Sequence, residues 1–352
     1  MKKINGKNIL SIGCDYIPPK GGVAQVMYTY SQEIYSTFHC ITNSGAKNAV
    51  GKLLQALWGI VHMIIYLIYY NNIRIVHIHT ASYKSFIRSS WYLRVAKMIG
   101  KKTILHIHGG AFKDYYKTNP KWILKILLKA DCIFALTESW NRFFSDELHL
   151  PNVVTVQNII PTPVIKEVDR DERIHLLFLG AINDQKGIFD LLSVINQHRM
   201  EWHGKLVLHV GGDQEVERLQ YYITEHDLGD LVKYEGWVNG EKKIELLNLM
   251  DVFILPSYVE GLPISILESL SYGKPVITTP VGGIPEVVND TNGFIFAPGD
   301  VTALSEILKG IIINPTILKK KSNHAMDSVK SNFPYSITKV LDKTYMNLLK
   351  EK

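Results

Sequence analysis

Two glutamates, Glu260 and Glu268, bracket the run Glu260-Gly-Leu-Pro-Ile-Ser-Ile-Leu-Glu268, directly after the apolar stretch Val252–Leu255 and the turn Pro256-Ser-Tyr258. Strand, turn, then helix is the arrangement that points free backbone N–H groups and a positive dipole end at an anion. Gly261 lets the backbone approach a ligand, and Glu268 falls about two helical turns further on, facing the same side as Glu260. A carboxylate in that place can hold the vicinal hydroxyls of a ribose or a sugar. The plainer alternative is a helix-entry acid followed by an ordinary surface glutamate. A second strand-to-loop junction carries Lys186: Leu176–Leu179 runs into Gly180-Ala-Ile-Asn-Asp-Gln-Lys186-Gly187, ahead of a helix over Ile188–Ile195. A lysine opening a helix is unfavourable by dipole logic, and an anion lying between the two, such as a diphosphate, would explain it; a solvated loop lysine is the alternative. Paired glycines follow two further strands, at Gly21-Gly22-Val23 and Gly282-Gly283. They suit close approach to a ligand or a tight turn equally. Neither is GxGxxG, so dinucleotide binding is weakly supported.

Histidine pairs raise a different chemistry. His77-Ile-His79 and His106-Ile-His108 each put two imidazoles on one strand face. A metal site would need a carboxylate or cysteine companion and a supporting shell, and the sequence offers neither, so no metal is expected. His108 stands apart because it ends its strand beside Gly109-Gly110, where it could hydrogen-bond a ligand hydroxyl or phosphate. Asp169-Arg-Asp171 resembles a metal-binding acid pair but lies in a linker rather than after a strand.

The elements that must position these residues are short β-branched runs separated by helical pattern. Strands are expected at Ile9–Ile12, Ile73–His79, Thr103–His108, Cys132–Leu136 and Val153–Gln157, and then at Leu176–Leu179, Leu206–Val210, Lys233–Tyr234, Val252–Leu255, Val276–Thr278 and Phe294–Phe296. Apolar runs of this kind read as buried parallel strands of an α/β protein. The pattern restarts after Pro161-Thr-Pro163 and the charged stretch Lys166–Arg173. The expected fold is therefore two Rossmann-like, doubly wound domains, residues 1–165 and 166–334, facing across a cleft, with ligands at the carboxyl ends of the strands. Leu53–Tyr70 lacks any charge but carries a polar-aromatic stripe at Gln55, Gly59, His62, Tyr66 and Tyr69, which favours a crossover helix over a membrane span; an amphipathic helix touching a membrane is the second reading. Lys113, Lys117, Lys121, Lys125 and Lys129 recur every fourth residue, with Asn119-Pro120 as the start of a helix bearing the last three. They form either a solvated face or a docking face for anionic headgroups.

Composition narrows the classes. Hydrophobic residues make up 46% of the 352 and charged ones 20%, which excludes a disordered or fibrous chain. Three cysteines, Cys14, Cys40 and Cys132, lack metal or disulfide spacing and suit a reducing compartment. The N-terminus shows no secretory signal pattern. The net charge of +6 conceals an asymmetry: residues 1–165 hold 19 basic and 7 acidic side chains, and the remainder is net acidic. A basic half suggests an anionic partner; nucleic acid is not expected, because no interleaved recognition motif accompanies the charge.

Together these residues resemble glycosyltransferase family 4, retaining enzymes of GT-B fold that use nucleotide-activated sugars. Gly21-Gly22-Val23 is similar to the family's N-terminal glycine loop, Val76–His79 and His106–Gly109 to its first-domain strands, Gln157–Ile160 to its Asn-Gly-Ile/Val-Asp turn, and Glu260 with Glu268 to its EX7E pair. The resemblance implies that Glu268 holds the donor ribose. Glu260, with backbone N–H groups of Leu262 and Ile264, would position the donor sugar and its phosphates. Lys186 would neutralise the leaving diphosphate, and His108 would contact the donor sugar. Gly22, Pro263 and the Trp237-Val238 base loop complete the implied donor site. A final helix, Tyr335–Lys350 within residues 335–352, would return to the first domain. The chain departs from the family pattern at Ala181, where an arginine is common, and at Ile159 and Ile160. The implied activity is transfer of a hexose from a UDP- or GDP-sugar to a hydroxyl of a growing saccharide in surface-polysaccharide synthesis, with no cofactor and no obligatory metal. The basic first half and its aromatic stripe point to an acceptor at a membrane, a polyprenyl-diphosphate-linked saccharide, and to a cytoplasmic location, peripheral on the inner face of an anionic membrane, with Lys113, Lys117, Lys121 and Lys125 on the acceptor and membrane side. The alternatives are a sugar-nucleotide epimerase of the same architecture and a non-enzymatic membrane-surface protein.

Overall fold

The computed structural model describes residues 3–44 and 49–350. The chain forms two compact units, Met1–Pro161 with Ser331–Lys352, and Thr162–Lys330. The first alternates β1 (Ile9–Cys14), α1 (Gly22–Thr29), β2 (His39–Ser44), α2 (Ala49–Tyr69), β3 (Ile75–Thr80), α3 (Lys84–Met98), β4 (Lys102–Ile107), α4 (Phe112–Thr118), α5 (Pro120–Leu127), β5 (Cys132–Ala135), α6 (Glu138–Arg142) and β6 (Val153–Thr155). Its six strands are parallel, in the order β2-β1-β3-β4-β5-β6. Alternation along the strands sorts the side chains between two layers. Leu10, Ile12, Val76, Ile78, Leu105, Ile107, Ile133 and Ala135 join the apolar faces of α2 to α6 in one buried cluster. Ser11, His77, His79, His106 and Phe134 occupy the other face of the sheet, where Tyr30 and Tyr345 pack against the imidazoles. The strand order reverses between β1 and β3, so the loops after these strands open the crevice of this sheet.

The second unit continues with β7 (Ile174–Leu179), α7 (Ile188–Gln197), α8 (Arg199–Trp202), β8 (Leu206–Gly211), α9 (Val216–Glu225), β9 (Val232–Gly236), α10 (Gly240–Leu249), β10 (Val252–Leu255), α11 (Ile264–Ser271), β11 (Val276–Thr278), β12 (Gly293–Ile295), α12 (Val301–Ile313) and α13 (Thr316–Ala325). The parallel order β12-β11-β10-β7-β8-β9 is that of a dinucleotide-binding sheet, with its reversal between β7 and β10. The last helix, α14 (Pro334–Lys350), belongs to the first unit: Tyr345 Oη lies 2.6 Å from Tyr35 Oη and 2.9 Å from His77 Nδ1.

Several details differ from the sequence reading. β2 was not expected, because His39-Cys-Ile-Thr-Asn-Ser has no apolar run; it is an edge strand, held by pairing with β1 alone. The unit boundaries fall at 161/162 and 330/331 rather than at 165/166 and 334/335. Val164 N donates to Tyr272 Oη and Lys166 N to Asn248 Oδ1, tying that stretch to the second unit, while Asn332 Nδ2 donates to Asn158 O and ties the return to the first. The lysine row divides at Asn119 as expected, Lys113 and Lys117 lying on α4 and Lys121 and Lys125 on α5, whose first turn is capped by Asn119 Oδ1 accepting from Trp122 N; α5 ends at Leu127, however, so Lys129 lies beyond it. In α2 part of the polar-aromatic stripe turns inward. Tyr66 Oη meets His39 Nδ1 at 2.6 Å, and Gly59 sits under the Tyr92 hydroxyl, which donates to Ala56 O. No single described helix is long and apolar enough to cross a membrane.

Candidate functional site

The loops after β7 and β10 meet at the reversal of the second sheet. Lys186 ends a short 3-10 turn, Asp184–Lys186, that Asn183 caps by accepting from Lys186 N; Gly187 follows at φ 68° and leads into α7. Only glycine fits here, since a Cβ at Gly187 would lie 2.1 Å from Pro256 O. Tyr258 N donates to Gln185 O, binding the two loops together. The outcome is an ion pair: Lys186 Nζ to Glu260 Oε1 at 2.6 Å, with Ser257 Oγ donating to the same oxygen at 2.7 Å. A third loop closes over it. Gly282, at φ 59°, has its Cβ position 2.1 Å from Glu260 O, and Gly283 N donates to Gly261 O at 2.6 Å.

Glu260 and Glu268 are 8% and 5% exposed, so neither is the surface carboxylate of the plainer reading. Buried carboxylates require partners, and each has its own lysine. Glu268, in the middle of α11, accepts from Lys243 Nζ at 2.6 Å, and Lys243 comes from the first turn of α10. Lys243 was missed in the sequence, although the dipole argument that singled out Lys186 applies to any cation in a first helical turn. α11 itself begins at Ile264 with Pro263 at its cap and no side-chain cap bond, which leaves the dipole end of this helix to a ligand rather than to its own sequence. Leu262 is buried beneath this turn. Trp237, half-exposed, and Val238 follow Gly236 at the carboxyl end of β9, two strands from the reversal. Ala181 follows Gly180 directly after β7.

In the first unit, Gly22 opens α1 after Gly21 at φ 91°, and the four imidazoles stand side by side. His77 Nε2 faces His106 Nδ1 at 3.3 Å, and His79 Nδ1 faces His108 Nε2 at 3.0 Å. Desolvation pushes the His77 imidazole down to about 3 and His108 to about 4, and drives His79 and His106 well below the usual range. All four are neutral at pH 7. His108, half-buried and hydrogen-bonded to Asn158, therefore offers a ligand a neutral dipole and not a positive charge. Ring nitrogens of His77, His79 and His106 lie within 4.8 Å of one another, and among the described residues no carboxylate or thiolate joins them. In the linker, Asp171 pairs with Arg173 and His175, so this member of the acid pair is engaged structurally, and the intervening Arg170 pairs with Asp251. Of the acceptor-side lysines, Lys113 reaches Glu147 at 3.6 Å and Lys117 reaches Asp114 at 2.8 Å, whereas Lys121 and Lys125 are exposed.

Comparison with known proteins places this geometry. Residues 164–328, nearly the whole second unit, match the family described as glycosyl transferases group 1. A glycogen synthase of Mycobacterium tuberculosis is 24% identical over 232 residues, covering 64% of this chain and 55% of the relative. The lipopolysaccharide 1,6-galactosyltransferase of Escherichia coli K12 is 29% identical over 167 residues, covering 46% of this chain and 44% of that one. The chain thus spans about half the length of these curated relatives. Among solved structures, HepE of Anabaena, in complex with UDP and glucose, superposes with a TM-score of 0.73 at 14% identity, covering 96% of this chain and 99% of that one. That likeness shows the fold, which is GT-B.

Proposed function

We propose that this chain, whose second unit matches the group 1 glycosyl transferases, is a glycosyltransferase that moves a hexose from a UDP- or GDP-sugar to a saccharide hydroxyl in the synthesis of a surface polysaccharide or lipopolysaccharide. The observation that carries the reading is the pairing of two buried carboxylates with two lysines at the strand-order reversal, Glu260 with Lys186 and Glu268 with Lys243. In this reading Glu268 holds the ribose, and Glu260 orients the sugar. Leu262, Pro263 and Ile264, at the start of α11, present the positive helix end to the diphosphate. Trp237 and Val238 flank the base. Lys186 neutralises the charge that builds on the departing diphosphate, the task for which a fixed cation in a dry site is most effective. Within the first unit, His108 and Gly22 offer neutral hydrogen-bonding groups.

Transfer occurs with retention. The bond from the anomeric carbon to the phosphate oxygen breaks, the acceptor oxygen bonds on the same face, and its proton passes to the departing phosphate. With lysine and helix N–H groups carrying the negative charge, no metal is obligatory. The acceptor is a lipid-linked saccharide, and the basic first unit rests peripherally on an anionic membrane, with Lys121 and Lys125 contributing.

Thermal-shift measurements with UDP, GDP, ADP, CMP and NAD, each with magnesium or with EDTA, test the donor site. A nucleotide at a hundred times its dissociation constant adds ~2.7 kcal/mol, which raises Tm by roughly 5–10 °C. A shift with UDP or GDP that survives EDTA is expected. A shift confined to NAD would overturn the reading, and one abolished by EDTA would remove its metal-independent form. Release of an altered donor sugar in the absence of any acceptor would favour the epimerase instead.

A further inference from the structure

α2 carries an exposed apolar face that the rest of its unit leaves uncovered. Its inner face is fixed: Ala56, Met63 and Leu67 are buried, and the Tyr92 and Tyr66 hydroxyls bond to Ala56 O and His39. Its outer face presents Leu57, Trp58, Val61, Ile65, Ile68 and Tyr69, spaced at one, three and four residues along one side, with Trp58 69%, Ile68 72% and Tyr69 78% exposed. A contiguous stripe of this size on a soluble surface marks an interaction site. Its aromatic residues, Trp58 and Tyr69, have the amphipathic character favoured at a membrane–water interface.

The surrounding charge selects the partner. From residue 34 to residue 113 the sequence contains no Asp or Glu at all, and ten Lys and Arg. The helix packed beside α2, α3, exposes Lys84 and Arg94. Neither α2 nor α3 carries an acidic side chain, and the nearest acids, Asp131 and Glu147, pair with Lys97, Lys102 and Lys113; an apolar stripe beside the exposed Lys84 and Arg94 has the composition of a helix that lies in the plane of an anionic bilayer. A second copy of this chain would set one basic surface against another, which is repulsive. A span is excluded for α2 by its packing, since one side is committed to the core.

We propose that α2 is the membrane-docking element of this protein, with its Leu57–Tyr69 face seated among the headgroups and upper acyl chains of an anionic lipid surface. The inference rests on the peripheral-membrane reading above and moves its centre from the lysines of α4 and α5 to α2.

Flotation of the full chain with vesicles of phosphatidylcholine, alone or mixed with phosphatidylglycerol, tests it. The native chain is expected to float with the mixed vesicles. The triple variant Trp58→Ser, Ile65→Ser, Ile68→Ser is expected to lose roughly tenfold or more of that binding, while its circular dichroism melt and its nucleotide-induced thermal shift stay unchanged. A variant Lys121→Ser, Lys125→Ser should lose less, and mostly at low salt. If the triple variant floats as well as the native chain, the assignment to α2 is wrong while the peripheral reading stands. If the native chain floats with neither vesicle, both fall, and the nucleotide shift reports separately on the transferase reading. Concentration-dependent dimerisation, measured by sedimentation and abolished by the triple variant without any vesicle binding, would give the stripe to a second copy instead.

Discussion

Lys186 and Glu260 lie 74 positions apart in sequence and 2.6 Å apart in space. Each was visible by itself, as a cation at a helix start and an acid after a strand. Their contact was not, because no local pattern encodes which loops meet. Replacing Lys186 by Ala is expected to lower kcat by ~100-fold to ~1000-fold, the usual effect of removing one charge-stabilising group from an active site. Tm is expected to fall as well, because the buried Glu260 carboxylate is left with only its Ser257 bond, so kcat is compared at a temperature where the variant is folded. Normal turnover in that variant would take Lys186 out of the mechanism. Lys243 and Glu268 give a different signature. Lys243→Met leaves a carboxylate without its cation, and the expected result is weaker nucleotide binding, seen as a raised donor KM with a smaller change in kcat. An unchanged KM would show that Glu268 does not hold the donor.

The elements around the site are legible to the extent that their signals are local. Asn119-Pro120 marked the start of α5 because a capping side chain and a proline act within one turn. β2 escaped because an edge strand needs no apolar run, and its register comes from β1. The orientation of α2 was equally hidden: the sequence fixes its periodicity, while Tyr92 and His39, from α3 and β2, decide which side is inner. The glycine loop after β11 was ambiguous between a ligand approach and a tight turn. The structure adds a third role, closing on the backbone of Glu260. Gly282→Ala combines a positive φ with a 2.1 Å clash and is expected to cost ~1–2 kcal/mol or more. It should also weaken nucleotide binding, because relief of the clash moves Glu260. A variant with native Tm and native nucleotide affinity would contradict that coupling.

At the scale of the whole molecule, the two units differ in charge and in what they bury. The first unit encloses a row of neutral imidazoles between its sheet and the α1 and α14 layer, next to Tyr30, Tyr345 and Phe134. Burial holds these groups below their unfolded value of about 6.5, with His77 at about 3 and His108 at about 4. Between those limits the unfolded chain binds protons that the folded one refuses. Their neutral state therefore carries no penalty above pH 6.5, and stability falls as pH drops from 6.5 towards 4. A Tm series across that range should show the decline, and His106→Phe should flatten it if the variant folds. A Tm series in the native chain without slope between pH 6.5 and pH 4.5 would rule out the buried neutral row as a source of acid sensitivity.

The sequence by itself determined the α/β class, eleven of the twelve strands among the described residues, the restart of the pattern after residue 161 and the positions of Lys186, Glu260 and His108 after strands. These follow from hydrophobic periodicity and turn chemistry, which act over a few residues. Only the tertiary structure decided the pairing of Lys186 with Glu260 and of Lys243 with Glu268, the neutrality of His108 and the outward apolar face of α2. Each of these depends on strand order and on helix packing between segments distant in the chain, where burial and contact are set by neighbours that no local window contains.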